Sequence, residues 1–442
     1  MIARFREDGL MRQALGAGAL MLVLKVLSAA LSYLMFVVLA NLLTGAEFGR
    51  FAFGFSLAIT LGTIAGLGLA TSILRFLPQY AASGDASHGS GFIRWSTTMT
   101  IVASLSLWAL VTLGSWFIEW LRPELDLYYV RAAALLILPF ALAEHFANGL
   151  RAMGSTIAAL APRDVLWRAA VPLAAILFVT AGYNLDGTRA LLLAAVLIAA
   201  LVIAQAAYIF PRYRSEYATA PPRHDTRTWI NVSLPMWGAA TLYALVQQFD
   251  VVVLGVFMSP EESGPYFAAL RTAALLNLVL IAGNMASAPM IAKHYHAGDM
   301  DGLRKLIGLL TPAIAVPTLL GYVFLALIGS WLLSMFDPSF TSAYPLLLIL
   351  AAGFTFDAIA GPTGYILQMT GNEKTYLAIM ACCYAGTLLL QCLLIPHFGP
   401  YGAAIPTALG IVVANLLIIR AVRRSLGIDP SIFGVVARMV AR

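Results

Sequence analysis

Residues 14–40 read ALGAGALMLVLKVLSAALSYLMFVVLA, and the only charge in this run is Lys25. A helix that crosses the hydrocarbon core of a bilayer needs about 20 mainly apolar residues. Because Arg4, Arg6 and Arg12 precede it, the segment superficially resembles a signal peptide. It is, however, longer than the cleavable apolar core of about 7–15 residues. We therefore predict that it is the first membrane-spanning helix.

The whole chain has the composition of a polytopic membrane protein. Of its 442 residues, 61% are hydrophobic, 11% are charged, and the formal net charge is +6. Soluble domains carry about 25% charged residues, so this composition excludes a soluble enzyme, a disordered chain and a nucleic-acid-binding module. The cysteines, Cys382, Cys383 and Cys392, share one apolar run and have neither disulfide-framework nor metal-ligand spacing. We expect no metal and no cofactor.

Apolar runs separated by turn signals predict an all-α integral membrane fold. The expected spans are about residues 14–40, 48–74, 93–120, 128–153, 161–182, 188–210, 229–257, 265–292, 305–334, 341–369, 374–396 and 400–421. We assign residues 1–210 to an N-terminal six-helix bundle, 211–228 to a cytoplasmic linker, 229–427 to a C-terminal six-helix bundle and 428–442 to an amphipathic cytoplasmic tail. No connection is long enough for a catalytic domain, and no P-loop is present, so we do not expect an enzyme.

The distribution of Lys and Arg predicts the orientation of these helices. Outside the helices, most of the 27 Lys and Arg residues fall in connections on the same side as both termini. The opposite side has Arg50, Arg122, Arg131 and Arg189. Since positive residues accumulate in cytoplasmic loops, we expect both termini in the cytoplasm. Tryptophans near predicted helix ends are typical of interfacial anchors: Trp95, Trp116, Trp120, Trp229 and Trp331.

A weak internal repeat supports two similar halves. An offset of 215 positions brings Glu47 onto Glu262 and Gly49 onto Gly264. Parallel repeats of this kind in transporters are related by an axis along the membrane normal, and the substrate site lies between them.

Six charged residues lie well inside the predicted spans, away from their ends: Lys25, Glu144, Arg168, Asp250, Arg271 and Asp357. Each central charge costs about 2.5–3.5 kcal/mol on insertion scales, so these side chains should face one another or a wet cavity. Lys25, about 16 Å into the first helix, is interpreted either as a substrate contact or as half of a structural pair. Asp250 and Arg271 either form an ion pair or line a cavity. Glu144 and Asp357 either take up a proton or form structural hydrogen bonds, and Arg168 can snorkel to the interface.

Several longer stretches resemble a known family. They are Leu39–Phe51, Gly66–Pro78, Asp250–Gly255, Ser259–Tyr266 and Phe398–Ile405. In order and spacing they are similar to the helical hairpins of polysaccharide-biosynthesis flippases. These flippases form the Wzx-like branch of the multidrug/oligosaccharidyl-lipid/polysaccharide (MOP) exporter superfamily. The resemblance implies a MOP/MATE-like fold, in which two pseudo-symmetric six-helix bundles alternate between inward-open and outward-open states.

The resemblance also implies a substrate and a location. Family members move lipid-linked oligosaccharide repeat units, carried on an isoprenoid diphosphate, from the inner to the outer leaflet of the bacterial cytoplasmic (inner) membrane. Lys25 and Arg271 match cationic cavity positions that would bind the diphosphate, whereas Ser56 stands where the repeat would place a further cation. Helix position makes four further residues candidates for polar cavity contacts: Tyr243, Gln247, Gln248 and Asn277. Glu144, Asp250 and Asp357 are candidates for ion coupling. Expected partners are membrane lipids, a glycan polymerase and glycosyltransferases.

Two other functions fit the same sequence. One is a cation-coupled multidrug or small-molecule exporter of the same superfamily, and the Lys25/Arg271 pair speaks against the acidic cavity that such a protein needs. The other is a polytopic glycan polymerase, which would need a sizeable outer loop with catalytic groups.

Overall fold

A computed structural model describes residues 23–217 and 221–440 of the chain, and these residues are helical with no strand. The helices are α1 (Val23–Leu42), α2 (Gly45–Ala65), α3 (Leu69–Ser83), α4 (Ala86–Leu121), α5 (Tyr128–Ala134), α6 (Ile137–Ala152), α7 (Thr156–Ala161), α8 (Arg168–Thr180), α9 (Gly187–Tyr217), α10 (Thr226–Phe257), α11 (Pro260–Ala273), α12 (Asn277–His296), α13 (Met300–Ser334), α14 (Tyr344–Ala360), α15 (Thr363–Met369), α16 (Glu373–Phe398), α17 (Pro400–Leu426) and α18 (Ile432–Val440). A π-helical segment, Pro162–Trp167, joins α7 to α8, and 3₁₀ turns lie at Ala274–Leu276 and Pro338–Ala343.

The all-α membrane fold class is confirmed. Within the described residues, 10 segments are long and apolar enough to cross a membrane, and up to 11 if α10, bent by 44° near Tyr243, is one span. The span predicted at about 161–182 is not a regular helix, because the π-helical segment precedes an α8 of 13 residues.

Two other predicted spans end earlier than expected because the backbone turns at glycine. The expected helix 48–74 is divided between α2 and α3 at Leu67 and Gly68, whose φ angles are 50° and 68°. The expected helix 341–369 is divided between α14 and α15 at Gly361, with φ 83°, followed by Pro362. Proline disfavours helical geometry in the residue before it, so this break has a local cause.

Short polar residues begin several helices by accepting hydrogen bonds from the otherwise unpaired first-turn amides. Thr44 Oγ1 accepts from the amide of Glu47 at 3.4 Å at the start of α2. Asp85 Oδ1 accepts from His88 N at 3.1 Å at the start of α4, and Asp225 Oδ1 accepts from Thr228 N at 3.3 Å at the start of α10. These caps fix where the connections end and the spans begin.

Contacts group the chain into two compact units. The first unit is Ala30–Gly264, and the second is Pro265–Arg442 together with the described residues up to Ala29. By contacts, α10 therefore belongs with α2 to α9, whereas the sequence prediction begins the second bundle with it. The predicted linker at 211–228 stays a prediction.

The first unit is built around aromatic packing. Phe55 stacks on Trp167 with ring centroids 6.1 Å apart, and Phe36 and Phe140 contact Phe55 edge-on. Trp167 Nε1 donates to the carbonyl of Ala194 at 3.0 Å, which satisfies its polar atom. This cluster ties α1, α2, α6 and α9 together around the π-helical segment.

Helix α10 docks in the first unit through Trp229. This side chain is fully buried, its ring lies against Phe92 and Trp95, and its Nε1 donates to Tyr80 Oη at 2.9 Å. The prediction of a membrane-interface anchor at Trp229 is therefore wrong. Trp116, Trp120 and Trp331 are exposed at helix ends, in keeping with that role.

The second unit has a core of aliphatic side chains. Ile291 of α12, Leu303 and Ile307 of α13, Ile366 of α15 and Val422 of α17 are each essentially inaccessible and form one cluster. The helices α13, α14, α16 and α17 pack around one another in this unit.

Candidate functional site

Lys25 and Arg271, the two predicted diphosphate ligands, both belong to the second unit. The side chain of Lys25 on α1 is exposed, and that of Arg271 on α11 is half-buried. The guanidinium carbon of Arg271 lies 4.6 Å from the ring centroid of Phe267, which is fully buried one turn earlier on the same helix. A cation held over an aromatic ring is stabilised by the ring quadrupole, so Phe267 orients this guanidinium.

Asn277, a predicted polar contact, begins α12 directly after the 3₁₀ turn that follows Arg271. Its Oδ1 is buried and accepts no hydrogen bond from the described residues, and the same holds for Asn284. Residues seven apart lie on one helix face, two turns apart. Two side-chain amide oxygens that can each still accept a hydrogen bond therefore lie on one side of α12. Asn284 was missed by the sequence analysis, although its spacing from Asn277 is visible in the sequence.

Asp357, a predicted ion-coupling residue, is engaged in a hydrogen-bonded chain within the second unit. Its Oδ1 accepts from Asn415 Nδ2 at 2.9 Å, and Asn415 Oδ1 accepts from Thr363 Oγ1 at 3.3 Å. This chain connects α14, α15 and α17 across the break at Gly361. The arrangement matches the structural alternative raised for this carboxylate, and it leaves the ion-coupling role a prediction.

Glu144, the ion-coupling candidate of the first unit, is paired with Arg163. Asn148 Nδ2 also donates to Glu144 Oε1 at 3.2 Å. Arg163 Nε donates to Asp164 at 3.2 Å, and Arg168 lies 4.0 Å from the same carboxylate. Sequence reasoning did not single out Arg163, and it let Arg168 snorkel. The π-helical segment instead places both arginines in one charge network with two carboxylates.

His145, next to Glu144, is a buried titratable residue that the sequence analysis missed. It is inaccessible, and its Nε2 lies 3.3 Å from Thr97 Oγ1 and 3.5 Å from Ser96 Oγ. Its Nδ1 is buried without a hydrogen-bond partner among the described residues. A lone histidine in an apolar run was the only available signal.

The remaining candidates lie on α10 in the first unit. Gln248 and Asp250 are buried, at 6% and 3% exposure, and Gln247 is exposed. Asp250 Oδ1 accepts from the amide of Val251 at 2.9 Å. The side chain of Tyr243 lies outside the described residues. The Asp250–Arg271 ion pair stays a prediction.

No group of three or more His, Cys, Asp or Glu side chains that could hold a metal ion occurs among the residues that the structure describes. The polar groups on α11 and α12 are instead suited to hydrogen-bonding and ion pairing with a ligand.

The fold is that of a MOP superfamily transporter. The chain superimposes on a multidrug resistance MATE family transporter in its inward-facing conformation with a TM-score of 0.68 and 15% identity, covering 92% of this chain and 94% of that one. A MOP superfamily transporter from Pyrococcus furiosus, described as having a binding pocket of reversed polarity, gives a TM-score of 0.63 at 14% identity over 92% and 95% of the two chains. At such identities the likeness defines the fold alone.

The family follows from the sequence match. Residues 15–294 match the model of the polysaccharide biosynthesis protein family, and because this is more than half of the chain, the protein belongs to that family. Membrane protein EpsK of Bacillus subtilis is 29% identical over 39% of this chain and 35% of its own length. Probable flippase AglR of Haloferax volcanii is 26% identical over 43% and 41%. The chain thus spans about two fifths of these relatives, and the predicted resemblance to MOP-superfamily polysaccharide flippases is confirmed.

Proposed function

We propose that the protein is a flippase that moves lipid-linked oligosaccharide repeat units, carried on an isoprenoid diphosphate, from the inner to the outer leaflet of a bacterial cytoplasmic membrane by alternating access. The observation that carries the proposal is the pair of cations, Lys25 and Arg271, within one unit of a polysaccharide biosynthesis family member. Both termini would lie in the cytoplasm. A glycan polymerase and glycosyltransferases are the expected partners.

The charges suit this substrate better than a cationic one. A diphosphate carries at least two negative charges, and contacts from Lys25 and Arg271 would be charge-assisted hydrogen bonds. Arg271 is already oriented by Phe267, so little side-chain freedom is lost when it binds. Of the intramembrane carboxylates, Glu144 faces Arg163 and Asp357 accepts from Asn415. An acidic cavity for cationic drugs has less support from these contacts.

The saccharide would be bound by neutral polar groups. The amides of Asn277 and Asn284 accept no hydrogen bond through their buried Oδ1 atoms within the described residues. Sugar hydroxyls are donors that satisfy such oxygens, and a buried acceptor without a partner is unfavourable by about 1–3 kcal/mol. We assign these two residues to the sugar, and the candidate contacts on α10, Gln247, Gln248 and Tyr243, stay predictions.

The membrane potential supplies a driving force for this direction. The cytoplasm is negative, so an anionic headgroup that moves outward moves down the potential and gains about 2.3 kcal/mol per charge per 100 mV. An unloaded cationic site that returns inward also moves down the potential. Export therefore needs no coupling ion. The alternative, an antiport in which Glu144, Asp250 or Asp357 carries a cation, needs an ion gradient.

The test of the proposed function is surface glycan display in cells that express Lys25→Ala or Arg271→Ala. Losing one charge-assisted contact of about 1.5–3 kcal/mol should reduce export roughly 10- to 100-fold at limiting substrate. Lys374→Ala, which removes an exposed cation at the start of α16, is the matched control and should export normally. Normal display by both site variants, at normal protein level, would refute the proposal.

Reconstituted liposomes separate the two driving forces. We impose a potential of about −100 mV across the liposome membrane, negative on the side that corresponds to the cytoplasm, without any ion gradient. We expect this potential to accelerate flipping of the lipid-linked substrate. Equal rates with and without the potential, together with acceleration by a cation gradient, would favour the antiport.

A further inference from the structure

The second unit contains a cavity of about 730 Å³ formed by the end of α14, the C-terminal half of α17 and the start of α18. Its apolar lining includes Phe356 and Ile359 of α14, Leu416 and Leu417 of α17, and Phe433 of α18. The volume lies within the range of about 300–1,000 Å³ typical of ligand pockets. We call it the α17 groove.

The walls of the α17 groove are fixed by the loop that joins α17 to α18. The carbonyl of Pro430 accepts from Thr311 Oγ1 of α13 at 2.8 Å. At Gly361, where α14 ends with φ 83°, a Cβ atom would lie 2.6 Å from the same hydroxyl and 2.9 Å from the same carbonyl. These close approaches hold α13, α14 and the loop together, so the groove is preformed.

One end of the α17 groove is strongly basic. Arg420, Arg423 and Arg424 all line it, and their spacing of three and four residues places them on one side of the last two turns of α17. Arg423 donates to Asp429, which also accepts from Ser431 Oγ at 2.8 Å. Arg420 and Arg424 have no carboxylate partner among the described residues. Within the described part of the chain, two guanidinium charges at the groove therefore lack a compensating carboxylate.

The apolar and basic parts of the groove follow one another along α17. The apolar lining of α17 at Leu416 and Leu417 lies inside the span Pro400–Leu426, between two and three turns before its end, and the arginines occupy its final turns. Leu416 and Leu417 are also 53% and 41% exposed, so the apolar part opens toward lipid. A ligand that fits both parts must have an apolar chain and an anionic headgroup at the membrane surface.

We propose that the α17 groove is a binding site for an anionic phospholipid. The phosphate is bound by Arg420 and Arg424, because guanidinium groups match phosphate oxygens in a bidentate fashion, and one acyl chain lies along Phe356, Leu416 and Phe433. Basic pockets at the ends of membrane helices bind phosphate headgroups in this way. Arg423, which is neutralised by Asp429, instead fixes the start of α18 over the groove.

The experiment is native mass spectrometry of the full-length protein in detergent, with phosphatidylglycerol or phosphatidylcholine added. We expect phosphatidylglycerol to be retained preferentially by the wild-type protein. In Arg420→Gln/Arg424→Gln, the affinity for phosphatidylglycerol should fall about tenfold or more, because the variant loses the attraction of two positive charges to the anionic headgroup. Arg214→Gln/Arg227→Gln removes the same charge from exposed positions in the first unit and should bind as the wild type does.

Two further arms identify the ligand. Glycerol phosphate, which has the headgroup charge without the chains, should compete poorly, and Phe433→Ser should weaken phosphatidylglycerol without changing the net charge. Equal retention of the two phospholipids by the wild type, or unchanged binding in Arg420→Gln/Arg424→Gln, would overturn the proposal. Displacement of phosphatidylglycerol by an equimolar isoprenyl diphosphate would also overturn it, because the groove would then be a site for the transported lipid class.

Discussion

Replacing Trp229 by alanine tests how α10 is held in the first unit. The side chain is fully buried against Phe92 and Trp95, and its indole Nε1 donates to Tyr80 Oη at 2.9 Å. Truncation of a buried tryptophan to alanine lowers the free energy of unfolding by about 3–5 kcal/mol. For a unit of this size, 1 kcal/mol corresponds to about 2–4 °C in melting temperature. We therefore expect Trp229→Ala to melt about 6–20 °C below the wild type in the same detergent.

The matched control for Trp229→Ala is Trp116→Ala. Trp116 is 56% exposed on α4, and exposed substitutions stay within about 0.5 kcal/mol of the wild type. Tyr80→Phe removes only the hydrogen bond and should lower the stability by about 0.5–1.5 kcal/mol, an effect that should vanish when Trp229 is also Phe. A Trp229→Ala melting temperature equal to that of Trp116→Ala would refute the docking of α10 through this side chain.

Three further variants test close packing, a buried hydrogen bond and a surface ion pair. At Gly49 a Cβ atom would lie 2.9 Å or less from backbone atoms of α11. Gly49→Ala should therefore lose about 1–3 kcal/mol of stability, while Gly114→Ala, with nothing within 4 Å, should not. Asn415→Leu leaves Asp357 without its 2.9 Å donor. It should lower the free energy of unfolding by about 1–3 kcal/mol and with it the melting temperature; an unchanged melting temperature would contradict this. Burial raises the pKa of Asp429, but hydrogen bonds from its neighbours lower it more, to below its usual value. Its contribution to stability is therefore present above the usual aspartate pKa and is lost as the pH falls through the lowered one. Asp429→Asn should accordingly speed hydrogen exchange in α18 at neutral pH, and unchanged exchange would show that the pair does not hold this helix.

The candidate site was only partly accessible to sequence reasoning. Lys25 and Arg271 were proposed because a charge in an apolar run has few structural explanations, and Asn277 was proposed from its helix position; all three stay predictions. Asn284 and His145 were missed, since neither carries a formal charge and neither matches a motif. Arg163 was not singled out, although it lies near the start of the predicted span 161–182, and only the π-helical turn shows that it pairs with Glu144.

The sequence by itself determined that the protein is an all-α membrane protein, where most of its helices run, and the family to which it belongs. A lipid-exposed backbone must satisfy its own hydrogen bonds within about 20 apolar residues, which is a local property that each segment displays. Only the tertiary structure decided which helices share a unit and which polar groups meet. Helices that are apolar on all sides carry no signal of which face packs against which neighbour. The docking of Trp229 against Tyr80 and the contact of Asn415 with Asp357, 58 positions apart in the chain, therefore had to be observed in the folded chain.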